Sequence, residues 1–161
     1  MLWIDILRWL HVIGAAVLLG TGAGIAFFML MAVRSREAAL IAHVAGTVVV
    51  ADLVFTATAV VAQPVTGIAL ALALGWPLTE GWIVLALALY VVIGAFWLPV
   101  VWIQARLRDI ARDCAATGAP LPARFDRLFR VWVAFGIPAF FAVMTILWLM
   151  LTRPAIGWPW A

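Results

Sequence analysis

His11, Asp52, Gln63, Trp97 and Gln104 are polar side chains set inside long apolar runs. In lipid such groups are expensive, so they mark packing or function. A neutral imidazole is a good ligand for haem iron or another metal. His11 is followed on its own helical face by Gly14, Ala15, Leu18 and Gly22. Small residues below a histidine leave space for a flat cofactor, which makes His11 the candidate metal ligand and Gly14 part of its pocket. The same glycines, with Gly20 and Gly24 in a GxxxG spacing, also suit close helix approach. His11 is then an interhelical hydrogen-bond donor. Asp52 stands mid-run, where an isolated carboxylate costs about 2.5–3.5 kcal/mol on insertion scales. Asp52, Thr56, Ala59 and Gln63 fall at i, i+4, i+7 and i+11, which is one helix face. That stripe is a proton path, one wall of a polar pocket, or an interhelical hydrogen-bond network.

Two aromatic rows accompany these groups. Tyr90, Gly94, Trp97, Val101 and Gln104 form one, and Pro138, Phe141, Thr145 and Trp148 the other. Rows at this spacing pack a bundle or line a pocket for haem, quinone or lipid. His43 lies close to the first loop and His11 far from it, so the two are not expected to share one iron. The chain lacks a Walker loop, a Rossmann glycine fingerprint, CxxC and HExxH. Its carboxylates are too few for a di-iron bundle. Whether it is an enzyme stays open at this level.

The elements that must position these residues follow from composition. The chain has 161 residues, of which 68% are hydrophobic and 11% charged. Soluble domains carry about 25% charge, so the solvent is lipid. Four apolar runs are long enough to span it as helices, over about 6–33, 38–75, 82–105 and 128–152, with a polar loop at 106–127. The reading is an all-α bundle of four transmembrane helices in one domain. Pro64 removes a donor from the second helix and predicts a kink there. Pro99 and Pro138 predict bends in the third and fourth. The third helix is expected to extend past the membrane until Gly118, Pro120 and Pro122 stop it.

All ten basic residues are arginine, and eight of them (34, 36, 106, 108, 112, 124, 127 and 130) fall at one end. The positive-inside rule puts that end in the cytoplasm and both termini in the periplasm of a bacterial inner membrane. Trp3, Trp9, Trp76, Trp82, Trp158 and Trp160 form an expected outer aromatic belt, with Trp102 and Trp132 near the inner boundary. The long first run and Asp5 ahead of Arg8 argue against a cleaved signal peptide. Cys114, the single cysteine, is expected to be a bystander in a charged loop. The expected partners are the lipid bilayer and a homo-oligomer or larger membrane complex. No basic face is long enough to track nucleic acid.

The stretches LRWLHVIGAAVLLGTGAGIAFFM, ADLVFTATAVVAQPVTGIAL, ALYVVIGAFWLPVVWIQARLRD and FGIPAFFAVMTILWLMLTRP resemble the integral membrane proteins of domain-of-unknown-function family 2269. That resemblance covers nearly the whole chain and implies a four-span membrane protein without an assigned activity. A shorter likeness surrounds His11. A leucine, a histidine and then small residues is similar to the first span of haem-binding membrane protoporphyrinogen oxidases and of copper-resistance D membrane proteins. It implies His11 as the position of a haem-ligand histidine, with no matching second ligand. The functional expectation is a b-type haem held by His11 for electron transfer, with Asp52, Gln63, Trp97 and Gln104 around a pocket or proton path. A non-enzymatic scaffold subunit and a small permease are its rivals.

Overall fold

A computed structural model describes residues 2–157. Trp158 and Trp160 of the expected belt lie outside the described residues. Four helices follow one another: α1 Leu2–Ser35, α2 Ala38–Ala73, α3 Gly81–Thr117 and α4 Ala123–Thr152. Each is long and apolar enough to cross a membrane. No strand occurs among the described residues. Runs of Leu, Ala, Val and Ile without turn residues allow this, and lipid requires it, because each backbone N–H and C=O must be satisfied within its own segment.

The connections are short, so sequence neighbours pack antiparallel. Only Arg36 and Glu37 separate α1 from α2. Ser35 closes that turn: its hydroxyl donates to the Ala32 carbonyl at 2.7 Å and accepts from the Glu37 N–H at 3.1 Å. Arg36 bridges across to Asp126 at the start of α4. That contact gathers the first and last loops at one arginine-rich end. The extension of α3 beyond the apolar span is present and stops at Gly118, whose φ of 69° is the left-handed cap glycine allows.

α2 departs from α-geometry at a point that no proline marks. Asp52–Thr56 form a π-turn in which the Ala57 N–H reaches back to the Asp52 carbonyl. The Thr58 hydroxyl takes up the Val54 carbonyl at 2.7 Å. Pro64 lies further on, inside continuous helix. It has no N–H for the Val60 carbonyl, and the Tyr90 hydroxyl of α3 donates to that carbonyl instead. The ladder is mended from a neighbouring helix, as proline in membrane helices requires.

Two apolar clusters hold the bundle. The larger lies in the arginine-rich half and joins all four helices through Met29, Ile41, Leu107 and Phe125, among others. The smaller lies at the opposite end and joins Ala71, Trp82, Ile83, Ala86 and Leu149, from α2, α3 and α4. α1 takes no part in it.

Three expectations change here. Pro138, Phe141, Thr145 and Trp148 are exposed, so this row faces outward from the bundle; the buried residues of α4 are Phe125, Trp132 and Leu149 instead. Cys114 is buried, because α3 carries it into the larger cluster rather than leaving it in a loop. Its thiol lies 3.7 Å from the Pro120 carbonyl. Trp82 and Trp132 are core residues rather than belt residues, the latter stacked on Phe129 with centroids 5.6 Å apart. Trp102 stays exposed under the Arg106 guanidinium.

Candidate functional site

The stripe read from spacing is real. Asp52, Thr56, Ala59 and Gln63 are all buried. Its two ends serve different helices, and the candidate residues therefore gather in two clusters. His11, Gly14 and Gln63 form one, while Asp52, Trp97 and Gln104 form the other. Fourteen residues of α2 separate Asp52 from Thr66, about 20 Å along the axis.

The His11 cluster ties α1 to α2. The Gln63 side-chain amide donates to the His11 carbonyl at 2.8 Å. The His11 Nδ1 lies 3.0 Å from the Thr66 hydroxyl. Thr66 has one hydroxyl hydrogen, and the Ala62 carbonyl takes it at 2.7 Å. The hydroxyl oxygen therefore accepts from His11, which assigns the proton to Nδ1 and leaves the lone pair on Nε2. Two glycines make the approach possible. A Cβ on Gly14 would overlap the Gln63 amide nitrogen, and one on Gly67 would come within 2.8 Å of the His11 ring. The space beside Gly14 is filled by Gln63, and the imidazole lies against Gly67. The other glycines of α1 play no such part: Gly20 and Gly22 have open space around them.

The Asp52 cluster lies between α2 and α3. Asp52 is 4% exposed and Gln104 only 1%. The Trp97 indole N–H donates to Asp52 Oδ1 across 3.4 Å. Thr56 and Gln104 face the same carboxyl. Yet Asp52 Oδ2, Thr56 Oγ1 and Gln104 Oε1 are buried oxygens without a hydrogen-bond partner. A partnerless buried polar atom costs about 1–3 kcal/mol. Three of them gather at one place, beside a π-turn. No salt bridge reaches Asp52 among the described residues.

His43 is exposed at the arginine-rich end, beside Arg108 and Arg112. It stands 23 residues along α2 from Thr66, roughly 34 Å from the His11 cluster. No group of three or more His, Cys, Asp or Glu is arranged to hold a metal among the described residues. Sequence spacing missed the roles of Thr66, Gly67 and Tyr90. Gly67 carried a signal: it follows Gln63 by one turn and shares its face. Tyr90 carried one too, as the single tyrosine of the chain.

No curated protein and no solved structure matches the chain. A family does, under the description "Predicted integral membrane protein (DUF2269)", over residues 5–154. That range takes in all four helices almost from end to end, with both polar clusters, and the chain belongs to this DUF2269 family of integral membrane proteins.

Proposed function

We propose that this membrane protein handles a proton inside the bilayer, with Asp52 as the group that takes it up and gives it back. The observation that carries this reading is the trio of partnerless oxygens at the π-turn. A proton added to Asp52 Oδ2 turns an acceptor into a donor. The carboxylic acid can then donate within the cluster, where Gln104 Oε1 is a buried acceptor without a partner. When the proton leaves, the Trp97 N–H remains as a donor to the carboxylate. Both charge states thus have neutral partners, as reversible proton carriage needs. In this reading the arginine-rich end faces the cytoplasm and the termini face the periplasm of a bacterial inner membrane, from arginine placement alone.

Proteoliposomes with a trapped pH-sensitive dye test it. Under an imposed pH gradient, Asp52→Asn is expected to slow proton uptake at least about tenfold while the protein still inserts. Equal uptake by Asp52→Asn and the unaltered chain would refute the proposal.

A second reading rests on His11. Its Nδ1 is engaged by Thr66, and a histidine held this way presents Nε2 as a metal or haem ligand. Bound haem b would supply one-electron chemistry, and His11 would hold the iron. The filled space beside Gly14 tells against a flat group in this arrangement, so helix α1 would have to shift to admit one. An absorption spectrum of protein expressed with haem decides it: a Soret band lost in His11→Ala supports this reading, and a colourless folded protein rejects it.

A further inference from the structure

At the arginine-rich end, α2 and α3 leave a groove of about 620 Å³ lined by Ala42, His43, Gly46, Thr47, Val50, Arg108 and Arg112. We infer that this groove is a binding site for one anionic phospholipid, with the phosphate at Arg112 and His43 and an acyl chain along Val50. It is separate from the Asp52 cluster and does not depend on it.

Three observations support this. The first is charge. Arg112 makes no ion pair among the described residues, while Arg108 is held by Asp109 at 2.8 Å. A guanidinium with free donors matches a phosphate geometrically as well as electrostatically. The second is the floor. Gly46 lies under both arginines, with Arg112 Nη2 about 3.5 Å from where a Cβ would stand and Arg108 Cδ at 4.0 Å. A larger side chain there would fill the groove. The third is depth. His43 lies five residues into α2, and Arg112 lies five residues from the end of α3. Both therefore stand about 8 Å from the helix ends. Val50 lies about 10 Å deeper along α2. It is 60% exposed, and Leu53 just beyond it is 71% exposed. The groove therefore grades from basic at headgroup depth to apolar in the hydrocarbon. A free phosphate would use only the first part, and an anionic phospholipid uses both.

The test uses the full chain in mild detergent, titrated with phosphatidylglycerol or phosphatidylcholine, with bound lipid counted by native mass spectrometry. One phosphatidylglycerol should be retained in preference to phosphatidylcholine. Arg112→Gln should weaken that retention by about tenfold. Arg124→Gln, at the same end but outside the groove, should change it less than about twofold. Gly46→Leu keeps both charges and fills the floor, and should also lose the lipid. It serves as the independent variant if Arg112→Gln folds poorly. Equal losses in Arg112→Gln and Arg124→Gln would reduce the effect to general surface charge and overturn the site. So would equal retention of the two lipids, or displacement of phosphatidylglycerol by millimolar inorganic phosphate.

Discussion

The two polar clusters of this bundle use similar side chains to opposite ends. Around His11, no buried side-chain nitrogen or oxygen lacks a partner: Gln63 reaches the His11 carbonyl, and His11 reaches Thr66, which in turn reaches the Ala62 carbonyl. Around Asp52, three buried oxygens lack one. The smaller apolar cluster omits α1, so polar contacts hold the half of that helix away from the arginines to α2. The Asp52 cluster sits where α2 and α3 are already joined by apolar packing to either side. There the fold does not need polar contacts. A satisfied cluster where the core is thin reads as glue, and an unsatisfied one where the core is good reads as a site.

Gly67→Ala should have the largest effect on stability, because its Cβ meets the His11 ring and backbone or ring must shift. About 1–3 kcal/mol is expected from overpacking, read as a lower midpoint in detergent-induced unfolding. Next come paired replacements of the two buried glutamines by leucine. Gln63→Leu removes a donor on which α1 depends and should cost about 1 kcal/mol. Gln104→Leu removes an oxygen that has no partner and should be neutral or stabilising, while proton uptake falls. Matching signs for the two glutamines would erase the distinction between glue and site. Tyr90→Phe is the smallest change, a single oxygen. It strips the Val60 carbonyl of the donor that replaces the proline N–H, and about 0.5–1.5 kcal/mol is expected, with increased hydrogen exchange confined to α2 around Pro64.

Much of this was legible in the residues. Helix number and approximate bounds came from apolar run length, which lipid thickness sets. The buried face of α2 came from the 3.6-residue period of Asp52, Thr56, Ala59 and Gln63. The stop at Gly118 came from turn chemistry. What spacing could not reveal was which neighbour each polar group meets. Asp52 and Gln63 share a face, yet one meets α3 and the other α1, a matter of helix arrangement. The π-turn at 52–56 was equally hidden, since no proline or glycine marks it. The outward row of Pro138, Phe141, Thr145 and Trp148 shows the same limit from the other side: in lipid an apolar row need not be a core, because the solvent is apolar too.

Proton handling as proposed requires that the Asp52 carboxyl gain and lose a proton within the bundle. Infrared difference spectroscopy of the protein in lipid, stepped across pH, measures it most directly. A protonated-carboxyl stretch is expected that appears and disappears reversibly, shifts on exchange into heavy water, is perturbed in Gln104→Leu and is absent in Asp52→Asn. A carboxyl signal that is the same in Asp52→Asn and the unaltered chain, or none that responds to pH, would contradict it.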